Sequence, residues 1–394
     1  MNGLENILLV HNYYQISGGE DTVVTNEKKL LEDKGHKVLV YNRSNSEIKK
    51  FSILKKLLLP IIMIFNVRTY KDIRRIIERE QIDIVHVHNT LALVSPSVYY
   101  AALSKAVPVI QTVHNFRLLC PGATFYRNGH ICEDCIHFGL LCAVKHGCYR
   151  GSRLATISCV IGTWIHRFFG VYKKLNYICL TEFNKTMLLE LKQIQPVQIF
   201  VKPNFADSPY ERIIPYKQRK KRFIFAGRID KLKGIAVLFD AWRKIGREGP
   251  ELIVCGTGAM KDWCEEYINK HNLFNIKLLG YIPNDEIKKL LADSYALILP
   301  TQWYEGFPMT IVEAYSVGTP VIGSDIGNVG SIIDEGVTGW KFKSDSSESL
   351  VETVRAVKDI SSTVQRAYIR MYTSEINYIM LKSIYKKVKH RFLL

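Results

Sequence analysis

The sequence predicts an α/β protein built from two doubly wound domains, each a parallel sheet flanked by crossover helices. Three observations carry that prediction. A chain of 394 residues is too long for one typical core. Short apolar runs alternate with helical patterns along most of its length, as parallel sheets with crossover helices require. The alternation breaks near Lys202-Pro203-Asn204 and then restarts, with Pro209, Pro215 and the charge run from Lys217 to Arg222 marking a linker. The expected division is residues 1–203, residues 204–371 and a final helical stretch, 372–394, that crosses back to the first domain.

In the first half, Ile7-Leu8-Leu9-Val10 reads as a buried strand. Val38–Tyr41, Ile84–Val87 and Val109–Val113 follow, each preceded by a helix candidate. The first helix starts after Gly18-Gly19, where Glu20 and Asp21 suit the positive helix N-terminus, and ends at Gly35. Gly18 and Gly19 lie just past a strand end, where ligands of parallel sheets bind and where glycines let backbone amides approach an anion. A tight turn without a ligand is the plainer alternative. His114, followed by Asn115, Phe116 and Arg117, also sits at a C-terminal strand end and can bond a sugar hydroxyl or a phosphate. His86 and His88, two apart on one strand, share a face; with no fixed third ligand they read as structural.

Residues 117–150 form a long insertion rich in turn residues. It carries Cys120, Cys132, Cys135, Cys142 and Cys148, and Cys132-Glu133-Asp134-Cys135 has the spacing of a zinc half-site. A structural zinc and a set of reduced, metal-free thiols both fit. Two basic amphipathic stretches stand out nearby, Lys49 to Phe65 and Arg153 to Lys174, the second with Trp164, Phe168, Phe169 and Tyr172 among His166, Arg167, Lys173 and Lys174. Each suits either an anionic bilayer surface or an ordinary core helix with a solvated rim.

In the second half the strands are Phe223–Ala226, Leu252–Cys255, Ile276–Leu279, Ala296–Leu299 and Pro320–Gly323, with helices between. Arg228 and Lys233 flank the loop Gly227-Arg228-Ile229-Asp230-Lys231-Leu232-Lys233-Gly234 at a strand end. A guanidinium fork and an ammonium point charge together suit a diphosphate. Gly256-Thr257-Gly258 adds a second backbone-rich loop. Glu305-Gly306-Phe307-Pro308-Met309-Thr310-Ile311-Val312-Glu313 places two carboxylates around a turn that opens a helix, with Pro308 suited to its first turn and amides of residues 306–310 pointing out of its N-terminus. Carboxylates accept paired hydrogen bonds from vicinal diols such as those of ribose.

Composition bounds the function. The apolar fraction of 47% and charged fraction of 23% are those of a globular protein. The net charge of +17 is divided as +10 over residues 1–200 (25 Lys and Arg against 15 Asp and Glu) and +7 beyond. Such a charge suits nucleic acid, an anionic membrane or anionic substrates. A nucleic-acid-binding protein would use it on phosphates, but gives no reason for the Glu-x7-Glu spacing. The apolar run Leu57–Phe65 is about half a membrane span and contains Pro60. With no secretion signal, a cytoplasmic protein with reduced cysteines is expected.

Taken together, Gly18-Gly19-Glu20, His114, the Arg228…Lys233 pair, Glu305…Glu313 and the basic C-terminal helix resemble the retaining glycosyltransferases of family 4, which have the GT-B fold. The segment Thr112–Pro121 and the Cys132-x-x-Cys135 loop resemble a bacterial subgroup acting in capsule, exopolysaccharide or lipopolysaccharide assembly. By that resemblance the first domain binds the acceptor, a saccharide or a lipid-linked one, and the second binds a nucleotide-diphosphate sugar. Arg228 and Lys233 would hold the diphosphate, Glu313 the ribose, and Glu305 with Gly306, Phe307, Thr310 and Ile311 the donor sugar and its surroundings. Gly256 and Gly258 would belong to the donor site, and Tyr281 and Ile282 would lie where the base docks. His114 would lie beside the sugar and Gly19 beside the phosphates and acceptor. No metal would be needed, because the basic pair takes the cation's role. A nucleotide-sugar 2-epimerase of the same fold is the alternative, and peripheral attachment to the inner face of the cytoplasmic membrane is the expected location.

Overall fold

The computed structural model describes residues 4–15 and 18–393. It divides into two compact units. The first takes the chain up to Arg127, Cys132–Lys202 and everything from Tyr378 on; the second takes Asn128–Ile131 and Pro203–Asn377.

The sheet of the first unit is built on β1 (Asn6–Tyr13), β2 (Lys37–Ser44), β3 (Ile84–Val87), β4 (Val109–Val113), β7 (Asn176–Cys179) and β8 (Ile199–Val201); between β4 and β7 the chain forms a small two-stranded hairpin of β5 (Tyr126–Arg127) and β6 (His130–Ile131). The order β2-β1-β3-β4-β7-β8 is parallel throughout, so the strand order reverses between β1 and β3. Ile7, Leu9, Ile84, Ile110 and Ile178 project from its strands onto one core, which Leu381, Ile384, Tyr385 and Val388 of the C-terminal helix complete. Each fully buried aliphatic side chain of this kind contributes about 1.5–3 kcal/mol. The helix Gly19–Asp33 begins where expected, and Gly35, at φ +88°, ends it.

The insertion folds as short pieces: the β5–β6 hairpin and the helices Asp134–His137 and Leu141–His146. The basic stretch 49–65 is two short helices, Ile53–Leu57 and Leu59–Ile64, with Pro60 in the opening turn of the second. The other is the helix Arg153–Phe168, followed by a 3-10 turn at Val171–Lys174. Gly162 seats this helix against Ile64, leaving only 3.3 Å between an added Cβ and the Ile64 side chain. His166 and Arg167, read from sequence as part of the basic surface, turn inward. His166 bonds the Tyr100 hydroxyl and the Ile64 carbonyl, and Arg167 donates to the Leu118 carbonyl.

The second unit carries β9 (Arg222–Ala226), β10 (Glu251–Cys255), β11 (Ile276–Gly280), β12 (Ala296–Leu299), β13 (Val321–Ser324) and β14 (Gly339–Phe342). All pairs are parallel, in the order β11-β10-β9-β12-β13-β14. The central strands β9, β12 and β13 are buried at every position, as a covered parallel sheet requires, while the edge strand β11 is partly exposed. The order reverses between β9 and β12, and ligands of such sheets bind beyond the strand ends at that point.

Candidate functional site

The loops leaving β9 and β12 meet at the reversal point of the second unit. Asp230 caps the 3-10 turn Lys231–Lys233 by accepting the Lys233 amide at 3.0 Å. The Leu232 carbonyl accepts from the Gln302 amide at 2.8 Å and the Thr301 hydroxyl at 3.3 Å, tying the basic loop to the loop after β12. Gly234 makes the contact possible: at φ +72°, a Cβ there would lie 1.7 Å from the Pro300 carbonyl oxygen. No other residue fits without moving one loop off the other.

This docking brings Lys233 to Glu305. The lysine Nζ lies 2.7 Å from both carboxylate oxygens, with the Lys233 side chain 17% exposed and Glu305 only 6% exposed. Asn328 holds the turn by donating to the Glu305 and Gly306 carbonyls. Arg228, by contrast, has a side chain that is 65% exposed, and its ion-pair partner among the described residues is Asp230, at 3.4 Å. Lys233 is therefore held in place by an acidic partner that sequence reasoning assigned separately to the sugar, while Arg228 is free to reach an anion.

Gly256 and Gly258 serve the same loop from its other side. An added Cβ at Gly256, whose φ is +143°, would lie 1.8 Å from the Gly227 carbonyl oxygen, and one at Gly258 2.3 Å from that of Ile229. The Ile229 amide bonds the Thr257 carbonyl at 2.9 Å. These glycines let one backbone lie on another, which explains their need without any ligand.

The helix Met309–Ser316 starts one residue later than expected, with Pro308 as its cap. Thr310 and Phe307 are half-buried. Ile311, expected to face the donor, is a core residue: its side chain is fully buried in the second unit's hydrophobic cluster and its amide bonds the Pro308 carbonyl. It lies one position past the solvent-facing turn, on the helix's inward stripe. Glu313 is buried, and Asn284 donates to its Oε1 at 2.9 Å. Burial pushes its carboxyl above the usual range, with Asn284 and Lys288 pulling the other way. Asn284 was missed in the sequence, where it reads as a helix-start residue after Pro283. Tyr281 is exposed and Ile282 half-buried, both just past β11.

In the first unit Gly19 opens its helix, exposed, behind Gly18, whose amide is accepted by Asp21 at 3.1 Å. Asp21 also bonds His11 at 2.7 Å. His114 does not stand alone. Its Nε2 lies 2.9 Å from Nδ1 of His88, whose ring stacks on His86. Glu27 faces both strand histidines, Oε1 lying 3.0 Å from Nδ1 of His86 and 3.4 Å from Nε2 of His88, and its Oε2 lies 3.2 Å from Nζ of Lys202. All five side chains are buried. No periodicity announces this network, because Glu27 and Lys202 reach it from a helix and a strand end far apart in sequence.

Among the described residues, Glu27, His86 and His88 form the only group of three or more ligand-type side chains close enough to grip one ion. Lys202 already neutralises that carboxylate, so a cation there would face a like charge. No three of the sulfurs of Cys120, Cys132, Cys135, Cys142 and Cys148 converge in that way. Burial pushes the Cys135 thiol up to about 12, with Cys120, Cys148 and Cys142 adding to the shift.

A family model described as Glycosyltransferase Family 4 matches residues 17–210, and one described as Glycosyl transferases group 1 matches residues 209–372. The "Uncharacterized glycosyltransferase MJ1607" of Methanocaldococcus jannaschii is 32% identical over 136 residues, which is 34% of this chain and about a third (35%) of that protein. A second protein of that organism, "Uncharacterized glycosyltransferase MJ1178", is 24% identical over 88% of this chain and 87% of its own. The crystal structure of Anabaena HepE in complex with UDP superposes with a TM-score of 0.66 at 17% identity, covering 96% of this chain and 99% of that one, a likeness of fold. With the two family models meeting end to end over two doubly wound units, the chain belongs to the GT-B glycosyltransferases of the family 4 type.

Proposed function

We propose that this protein transfers a sugar from a nucleotide-diphosphate sugar to a saccharide or lipid-linked acceptor, with retention, in the assembly of a bacterial surface polysaccharide. The observation that carries the donor half is the Lys233–Glu305 pair at the reversal point of the second sheet, with Arg228 exposed beside it. A diphosphate entering there meets two cations, and Lys233 exchanges a carboxylate for a phosphate at little cost in desolvation. The freed Glu305 then accepts hydrogen bonds from the donor sugar, while the amides around Gly306 and Phe307 face the same place and Glu313 takes the ribose hydroxyls.

As the sugar–diphosphate C–O bond breaks, the ring gains oxocarbenium character and the leaving oxygen gains negative charge, which Arg228 and Lys233 stabilise. The acceptor oxygen bonds the anomeric carbon on the face being vacated, and its proton passes to the leaving diphosphate oxygen. No metal takes part, since the basic pair supplies the positive charge.

The lipid-linked acceptor is supported by the surface of the first unit. Ile53, Leu54, Leu57 and Ile61 are exposed on one helical stretch, and Leu154, Trp164, Phe168 and Phe169 on the helix packed beside it; Phe168 is 86% exposed and Ile53 80%. Lys49, Lys50, Lys55, Lys56, Arg153, Lys173 and Lys174 are exposed around them. Apolar groups ringed by cations suit an anionic bilayer surface, where each cation contributes about 1 kcal/mol. Among the described residues no helix is long and apolar enough to cross a membrane.

The test starts from thermal shift with UDP-, GDP-, ADP- and TDP-sugars, because bound ligand raises apparent stability by mass action. HepE's complex with UDP makes the UDP-sugars first to try. Product analysis with the stabilising donor follows: a glycosylated acceptor supports the proposal, and a 2-epimerised sugar in its place overturns it. Vesicle flotation tests the surface, with binding expected to anionic vesicles, weakening with salt, and none to neutral ones.

A further inference from the structure

The histidine that resemblance placed beside the donor sugar ends a buried chain of polar groups, and that chain has a direction. Lys202, Glu27, His88 and His114 follow one another at 3.2, 3.4 and 2.9 Å, from the end of β8 across the helix Gly19–Asp33 to the C-terminal ends of the neighbouring strands β3 and β4. Oε1 of Glu27 and Nε2 of His88 are both buried with no full hydrogen bond and lie 3.4 Å apart, with Nδ1 of His86 3.0 Å from the same carboxylate oxygen. His114 lines a cavity with about 840 Å³ of free space, part of it open to solvent, together with Asn89, Gln111, Arg117 and Tyr172.

We infer that Glu27 and His88 are positioning residues that hold His114 in the tautomer protonated at Nε2, leaving its Nδ1 as a hydrogen-bond acceptor for a substrate hydroxyl. The inference rests on the reading that His114 meets the substrate, and it adds the polarity of that contact. A carboxylate can only accept, so Nε2 of His88 must carry its proton; otherwise two lone pairs would face each other in a dry interior. A neutral His88 then has a bare Nδ1, which must accept from His114. The proton of a neutral His114 is thereby fixed on Nε2, as partner groups fix the tautomers of catalytic and metal-binding histidines.

The charge states support this polarity. Burial opposes the Glu27 carboxylate, but Lys202 and His86 beside it overcome that and hold its carboxyl well below the usual range. Burial, with His86 adding to it, pushes His88 down to about 4 against the pull of Glu27. Burial likewise holds His114 well below its ordinary value, with His88 and His11 adding to the effect. Near neutral pH the chain is therefore a carboxylate followed by two neutral rings. The other polar groups around it are Tyr385 and Thr112 on the two nitrogens of His86, and Asp21 on His11, whose ring centroid is 6.4 Å from that of His88. None of them bonds the link between His88 and His114.

The test is ring-nitrogen NMR on the full chain labelled with 15N-histidine, without substrate. His114 should appear as one neutral tautomer, protonated at Nε2. Glu27→Gln supplies an amide that can donate as well as accept, so the direction is lost. Because that change removes the carboxylate that offsets the buried Lys202 ammonium, the double variant Glu27→Gln with Lys202→Met is made beside it to preserve folding. In either variant both His114 tautomers should be populated, and kcat should fall about tenfold or more while donor KM stays within about threefold. A wild-type His114 protonated at Nδ1, or an unchanged tautomer in the folded double variant, overturns the inference. Turnover in His114→Ala is read separately: undiminished turnover removes the substrate contact while leaving the tautomer result standing.

Discussion

Removing Lys233 should cost both stability and turnover, and the two losses should separate. In the free protein its ammonium bonds both oxygens of Glu305, a residue only 6% exposed. Lys233→Ala leaves that carboxylate buried without its cation, a loss of about 1–3 kcal/mol. Taking about 2 kcal/mol, the melting transition of a unit this size falls by about 4–8 °C. Glu305→Gln should cost less, because a 17% exposed lysine can reach water. The double variant strands no charge, so its melting point should lie close to that of Glu305→Gln alone, giving a coupling of about 1–3 kcal/mol. Turnover should not recover with it. The diphosphate has still lost a charged partner worth about 1.5–3 kcal/mol, or roughly ten- to hundredfold in kcat/KM. Thermal melts and steady-state kinetics on the three variants decide the matter. Additive melting losses would refute the pair, and undiminished kcat/KM in Lys233→Ala would refute the diphosphate assignment.

Arg228→Ala should lower kcat/KM by a similar ten- to hundredfold while leaving the melting point unchanged, since the side chain is exposed and its ion-pair partner among the described residues is Asp230; a large drop in melting point would place Arg228 in the fold instead. Stability should fall as pH drops from about 6.5 to about 4. Burial lowers the pKa of His11, His36, His88, His114 and His166, so below the ordinary histidine value the unfolded chain takes up protons that the folded one refuses. Glu20, pushed up to about 8 by burial, and Glu313, also raised, oppose this with two groups against five. A melting point flat over that range would contradict the buried neutral histidines. Transfer should survive EDTA, and activity lost to chelation and restored by Mg²⁺ or Mn²⁺ would show that the basic pair does not suffice. Zinc measured on purified protein separates the two readings of the cysteine-bearing insertion: a stoichiometry near one per chain would mean that Cys135 and its neighbours Cys120, Cys142 and Cys148 close on an ion, and one well below it that the thiols are metal-free.

What the sequence determined by itself was local. Strands such as Ile7–Val10 and Phe223–Ala226 are legible because a run of apolar residues has no other way to satisfy both faces of a covered sheet. The loop glycines and Pro308 are legible because their backbone constraints are properties of single residues. The Arg228…Lys233 and Glu305…Glu313 spacings could therefore be read as a site before any contact was known. Only the tertiary structure decided which of these groups meet. Lys233 and Glu305 are 72 residues apart and face each other because Gly234 lets the loop after β9 lie on Pro300. Gly256 and Gly258 acquired a packing role from the neighbouring loop, and Ile311 went to the core because the helix phase turned it there. The network behind His114 depended most on the fold. Glu27 and Lys202 are 175 residues apart and carry no pattern, and charges become partners inside a protein only when parallel strands and a covering helix bring them to one dry place.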